Sequence, residues 1–192
     1  MKSVLIQGTN CTGKSTLVRN LIKSFGGVKS TEGKLLSFCE HEGKKIAIVG
    51  TYGKSNTGCG YDACYKYKKL PELAKMAKER GADYVFGEGM TLNTFGLTTT
   101  LFLHEHSEKG YVFHLCAENK TIVERLYKRS ARNDLKYDMI FSKGRSSKAA
   151  FDKFVGIGVE GSKIRTDLLD EKQTMEHVLK KVGLKDGRKG AS

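Results

Sequence analysis

Near the amino terminus, eight residues have the types and the spacing that hold phosphate. The run Gly8-Thr9-Asn10-Cys11-Thr12-Gly13-Lys14-Ser15 matches G-x-x-x-x-G-K-[ST] at every position. Its glycines let backbone N–H groups curl around phosphate oxygens, and a helix starting at its end adds a positive pole. Lys14 is placed to reach the β- and γ-phosphates and the Ser15 hydroxyl to bind Mg²⁺, with Thr16 completing the nucleotide-binding turn. Cys11 lies inside the loop, where its backbone matters more than its thiol. A second constellation is Arg125, Arg129 and Arg132, whose i, i+4, i+7 spacing puts three guanidinium groups on one helical face. Charge spread over a migrating phosphoryl group calls for fixed cations and excluded water, so a lid over about residues 125–145 is expected. A solvated basic face is the plainer alternative for the same arginines.

A third group of residues suits an acceptor. Between Gly50 and Tyr67 there is no arginine, but Tyr52, Tyr61, Tyr65 and Tyr67 are interleaved with Lys54, Lys66, Lys68 and Lys69. Aromatic faces stack bases and lysines neutralise phosphates, a pairing suited to single-stranded or flipped-base substrates. Gly58 and Gly60 on either side of Cys59 allow a close backbone approach. Asp62 is the first carboxylate after the strand that precedes this stretch, and a hydroxyl acceptor needs a base to take its proton. The alternative is a surface loop with an aspartate at a helix start.

The elements that must position these groups alternate. Val4 to Gln7 reads as a buried strand, and Leu17, Val18, Leu21, Ile22 and Phe25 mark a helix stopped by Gly26-Gly27. Lys34 to Cys39 and Lys44 to Val49 predict a hairpin across Glu40-His41-Glu42-Gly43. Pro71 fits a first helical turn with Leu70, Leu73, Ala74 and Ala77 on one face. Tyr84 to Phe86 and Tyr111 to Cys116 predict two more buried strands, and an Arg- and Lys-rich helix follows from about Asn119 with Ile122 and Leu126 inward. Ser146 to Val155 predicts a helix, Ile164 a strand, and Glu171 to Val182 a last helix before a frayed polar tail over 185–192. Phe102, Phe113 and Phe141 are expected in the core. The fold class that follows is α/β: a parallel sheet flanked by helices, with a hairpin insertion and an Arg-rich lid, in one domain over 1–184.

Composition narrows the function. The chain has 192 residues, and 34 Lys and Arg against 21 Asp and Glu leave a net charge of +13. Such an excess suggests an anionic partner, with nucleic acid foremost. At 39% hydrophobic residues there is material for a core, and neither a membrane span nor a signal peptide is evident. Five cysteines without a CxxC pair argue for reduced thiols and a cytoplasmic setting, and the five histidines, expected at the surface, show no zinc pattern. A guanine reader of the N-K-x-D type is missing, since Asn119-Lys120 continues as Thr121-Ile122.

Through Gly8 to Ser15, Val85 to Gly89 and the three arginines, the chain resembles the small phosphate-loop (P-loop) kinases of nucleotide metabolism and of phage DNA modification. The resemblance implies ATP as donor, and Glu88 as the acidic residue that holds Mg²⁺ and its water. A strand-end cap is the alternative for Glu88. Gly58-x-Gly60-x-Asp62 after a hairpin is similar to phage kinases that phosphorylate the hydroxymethyl group of 5-hydroxymethyluracil in DNA. Two other readings stay open: a free deoxynucleoside monophosphate or nucleoside kinase, and an ATP-gated nucleic-acid-binding module without transfer.

Overall fold

The computed structural model describes residues 1–33, 35–52, 70–89, 95–129 and 137–187. Its strands are β1 (Lys2–Gln7), β2 (Ser30–Glu32), β3 (Leu36–His41), β4 (Lys44–Val49), β5 (Tyr84–Glu88), β6 (Lys109–Cys116) and β7 (Glu160–Arg165). Its helices are α1 (Lys14–Ser24), α2 (Leu70–Glu79), α3 (Leu97–His104), α4 (Asn119–Arg129), α5 (Tyr137–Gly156) and α6 (Glu171–Val182). One sheet runs in the order β2-β3-β4-β5-β1-β6-β7. β4, β5, β1, β6 and β7 are mutually parallel, while β2 and β3 extend the edge antiparallel. The expected mixed α/β fold is therefore present.

The central strands are apolar along their whole length because both faces are covered. Val4, Ile6, Ile48, Phe86, Phe113 and Leu115 pack toward α1 and α6, where Leu17, Leu21, Met175 and Val178 meet them. Leu5, Val49, Val85 and Val112 pack toward α2, α3 and α5. Each such side chain, fully buried, contributes about 1.5–3 kcal/mol. The hairpin is tighter than the sequence reading: β3 continues through His41, and Glu42 and Gly43 close it with φ of 49° and 72°. Two successive left-handed residues are the turn whose twist matches paired strands.

Helix ends follow local chemistry. Gly26 and Gly27, with φ of 75° and 84°, end α1 as expected. Asp170 caps α6 by accepting from the Gln173 backbone N–H at 2.7 Å, while the Gln173 side chain accepts from the Asp170 N–H at 3.0 Å. Two helices depart from expectation. α3 was not foreseen, since Thr98, Thr99 and Thr100 lower its helix propensity, yet burial of Phe102 and Leu103 holds it. α5 starts at Tyr137, well before Ser146, because Ile140 anchors its first turn against Ile122 and Leu126.

Other expectations are corrected. His41 and His114 are buried rather than surface residues, and Phe141 is only half-buried while Phe102 and Phe113 are core. His104 is exposed on α3 and His106 lies beyond it. The tail does not fray at its start: His41 Nε2 lies 2.9 Å from the Lys185 carbonyl oxygen, and the Ser24 hydroxyl donates to Asp186 at 3.1 Å. Among the described residues, no helix is long and apolar enough to cross a membrane.

Candidate phosphate-binding site

The loop joining β1 to α1 lies at the carboxyl ends of the parallel strands, flanked by β5 on one side and β6 on the other. Gly8 has a φ of 146°, and a Cβ there would stand 2.4 Å from the Leu115 carbonyl oxygen and 2.6 Å from Thr12 Oγ1. Only glycine lets the loop pass β6 so closely. Gly13 precedes α1 with φ 87°, and Cys11 is a non-glycine residue at φ 59°. The Thr12 hydroxyl donates to the Thr9 carbonyl at 2.8 Å, and the Thr9 hydroxyl donates to the Ile140 carbonyl at 2.8 Å. The loop is thereby fastened to itself and to the first turn of α5. Asn10, Ser15 and Thr16 are half-buried at its rim.

Lys14 folds back over the loop, its Nζ donating to the carbonyl oxygens of Gly8 at 2.8 Å and Thr9 at 3.0 Å. The ammonium is thus held inside the curl where phosphate oxygens would sit, as the sequence pattern requires. Beside it, the Ser15 hydroxyl donates to Glu88 Oε1 at 2.9 Å. Glu88 ends β5, pairs in register with Ile6 of β1, and is 1% exposed. Strand register therefore delivers the carboxylate to the first turn of α1. A hydroxyl and a carboxylate are hard oxygen donors, so this pair fits Mg²⁺. Among the described residues, no cluster of three or more His, Cys, Asp or Glu forms another metal site.

Arg125, the first of the three arginines, bonds to oxygens of the protein itself. Nη1 donates to the carbonyl oxygen of Cys11 at 3.2 Å and to Thr166 Oγ1 at 3.0 Å, and Nη2 donates to the Thr166 carbonyl oxygen at 2.5 Å. It fastens α4 to the phosphate loop and to the turn after β7. α4 is described through Arg129, and the expected lid over about residues 125–145 lies partly outside the described residues. Arg132 and the side chain of Arg129 lie outside the described residues, as do Asp62, Gly58, Cys59, Gly60, the tyrosines 61, 65 and 67, and the lysines 54, 66, 68 and 69. Tyr52 is described: it is half-buried against the α1–α6 core, its hydroxyl donating to the Val49 carbonyl at 3.5 Å. It contributes to packing there.

Sequence reasoning passed over the turn after β7. Arg165 donates through Nε to Asp167 Oδ1 at 2.8 Å and through Nη2 to Asp167 Oδ2 at 2.6 Å and Glu118 Oε1 at 3.0 Å. The same Asp167 accepts from the Glu118 backbone N–H at 3.1 Å, and the guanidinium beside it holds its carboxyl well below the usual range. This network joins the turns after β6 and β7. The signal available was Arg165-x-Asp167 immediately after a strand. A second missed group is His114, in register with Gln7 of β1, its Nδ1 3.1 Å from the Ser147 hydroxyl of α5. Burial, with Lys163 nearby, pushes its imidazole down to about 4.

No protein-family model matches the chain, and no curated protein does. Solved structures do. A sugar kinase from Janibacter sp. HTCC2649, unliganded, aligns over 96% of this chain and 95% of its own at 14% identity and a TM-score of 0.57. The YorR protein from Bacillus subtilis, in complex with phosphorylated GDP, aligns over 95% and 96% at 15% identity and 0.59. Deoxyadenosine kinase from M. mycoides with bound dCTP aligns over 94% and 98% at 17% identity and 0.51. At these identities the likeness establishes the fold alone, a mostly parallel sheet flanked by helices that this chain shares with these solved structures.

Proposed function

We propose that the protein is an ATP-dependent kinase that passes the γ-phosphoryl group to a hydroxyl of a nucleoside, with the hydroxymethyl group of 5-hydroxymethyluracil in DNA as the preferred acceptor. The observation that carries the kinase reading is the contact of Ser15 with buried Glu88 beside a lysine folded into the phosphate curl. In the transfer, a bond forms from the acceptor oxygen to the γ-phosphorus as the bond to the β–γ bridging oxygen breaks. The acceptor proton passes to a carboxylate, and Asp62 is the candidate because Glu88 is engaged with Ser15. Lys14 steadies charge on the leaving phosphate, and Arg129 and Arg132 are candidates for the equatorial oxygens. Ser15 and Glu88 would hold Mg²⁺, which when bound neutralises phosphate charge.

The net charge of +13 supports a polymeric acceptor, because a free nucleoside carries no phosphate to neutralise. A second reading is favoured by a different observation: the fold is shared with a solved deoxyadenosine kinase, which supports a free nucleoside as acceptor. Labelled ATP offered against free nucleosides, nucleoside monophosphates, plain DNA and hydroxymethyluracil DNA separates these. Label retained in the modified polymer alone is expected. Label in free nucleosides or nucleotides with none in polymer would overturn the DNA acceptor, and no transfer to any member would overturn the kinase.

A further inference from the structure

The amino ends of the parallel strands, at the far side of the sheet from the phosphate loop, carry an imbalance of charge. β1 runs from Lys2 to Gln7, so its amino end lies roughly 17 Å from the start of the loop. Val4, Ile46, Tyr84 and Tyr111 face the α1–α6 core, and alternation along each strand puts Lys2, Lys44 and Lys109 on that same face. Tyr84 is buried, pairs in register with Lys2, and donates its hydroxyl to the Val182 carbonyl at the end of α6 at 3.1 Å. Two ammoniums lie over its ring, Lys2 Nζ 5.2 Å and Lys44 Nζ 5.6 Å from the centroid, and Lys2 also donates to the Tyr84 hydroxyl at 3.3 Å. The acids of this end are already taken. Glu160 is shared by Lys109 at 2.6 Å and Lys181 at 2.8 Å, Glu108 holds the amino terminus at 2.8 Å, and Asp83 accepts from the Lys45 N–H at 2.8 Å. Lys2 acts on Glu108 only at longer range, and neither Lys2 nor Lys44 forms an ion pair among the described residues. On α2 and α6, by contrast, exposed lysines meet carboxylates one turn on, Lys75 with Glu79 and Lys172 with Glu176.

We infer, resting on the polymeric acceptor proposed above, that this end of the sheet is a second binding site, one for the phosphodiester backbone of nucleic acid. Two ammoniums drawn to one ring repel each other, and an anion placed between them relieves that repulsion. The ring restrains both lysine stems before any ligand arrives, so less side-chain freedom is lost on binding than at solvated lysines. Backbone contacts of this kind carry affinity and no sequence readout. A polymer long enough to reach both ends of β1 is held at two sites at once, which raises its effective concentration at the phosphate loop. A free nucleoside gains nothing from the second site. The patch therefore retains the acceptor and takes no part in transfer.

Salt titration of the full chain with plain single-stranded and duplex DNA, read by fluorescence anisotropy without nucleotide, tests this. Lys2→Gln combined with Lys44→Gln removes two backbone contacts and is expected to make the log–log slope shallower by about 1.4 on single strands and about 1.8 on duplex. Lys2→Arg with Lys44→Arg, which keeps both charges, is expected to keep the wild-type slope. Lys75→Gln with Lys172→Gln lowers the net charge equally at lysines that have carboxylate partners, and is expected to leave the slope nearly unchanged. In the label assay, the Lys2 and Lys44 glutamine pair should raise KM for hydroxymethyluracil DNA with kcat and ADP binding unchanged. Equal losses of slope in the two glutamine pairs, or no loss in either, overturn the inference and leave the kinase reading standing. Displacement of bound DNA by phosphatidylserine vesicles as effectively as by competitor DNA would assign the patch to a membrane surface and overturn it too. A wild-type chain that binds no DNA at low salt would instead bring down the polymeric acceptor and this inference together.

Discussion

The two sides of the phosphate loop are built differently. On the β6–β7 side, Arg125, Thr166, Arg165, Asp167 and Glu118 bond to one another and to the loop, so that α4 and two strand ends form one braced unit. On the β5 side the join is between a hydroxyl and a carboxylate, Ser15 and Glu88, groups that an incoming cation can take over without leaving a buried donor unmet. The difference separates holding from reacting. One side is completed by the protein's own groups, while the other keeps oxygens whose partners a ligand can replace. In the proposed kinase, charge that must meet a transition state belongs on the second side, and rigidity that keeps the loop in shape belongs on the first.

The largest effect should come from disabling the reacting side. Lys14→Ala removes the ammonium from the curl, a group worth several kcal/mol in a dry site, and phosphoryl transfer is expected to fall by roughly a thousandfold or more. Glu88→Gln should lower transfer and raise the Mg²⁺ concentration needed, with the thermal midpoint nearly unchanged. Single-turnover assays across a Mg²⁺ series measure both, and near-normal turnover in folded Lys14→Ala would remove the assigned role.

Breaking the braced side should look different. Arg125→Ala deletes charge-assisted bonds worth roughly 1.5–3 kcal/mol, so the thermal midpoint is expected to drop by about 3–10 °C. ADP affinity should weaken about tenfold, because Cys11 and Thr166 lose their common clamp. Arg125→Lys keeps the charge without the fork and should restore little of either. Scanning calorimetry with ADP titration reads this. An unchanged midpoint with loss in turnover alone would return Arg125 to the lid that its spacing suggests.

How much of this was legible in the residues follows from the range of the interactions. The phosphate loop, the buried strands and helix α6 are set by local rules, so spacing and periodicity sufficed to place them, whereas the short edge strand β2, with Ser30 and Thr31 exposed, carried no such signal. Glu88 came from the resemblance to small phosphate-loop kinases, and strand register sets it beside Ser15. The role of Arg125 was not legible, since its acceptors are Cys11 and Thr166, far off in sequence and brought near only by the strand order. Periodicity places residues on a face but does not say what the face meets. α3 was lost for the converse reason, as local propensity there opposes the burial that decides it.

The smallest effect concerns the seam between the two sides. His114 sits on β6 and touches Ser147 of α5, the helix whose first turn also holds Thr9. Lys163, Lys148 and Lys14 oppose a charge on the ring and Asp152 favours one, but burial is the largest influence, and the imidazole is held neutral down to about pH 4. The unfolded chain, with an ordinary value of 6.5, binds that proton more readily between pH 6.5 and 4. The stability that a neutral His114 gives is therefore complete above pH 6.5 and is lost as pH falls through the window. By pH 5 the loss amounts to about 2 kcal/mol. Carboxylates with lowered values, such as Asp152 at about 2 against an ordinary 3.8, contribute in the same direction only at lower pH, so the interval from 6.5 to 5 isolates the histidine. Urea unfolding across that interval should show a falling midpoint in the wild-type protein and a flatter one in His114→Gln, which keeps a partner for Ser147 but does not titrate. Equal slopes in the two proteins would mean that the seam takes up the proton without cost and that α5 is not tied to β6 through this pair.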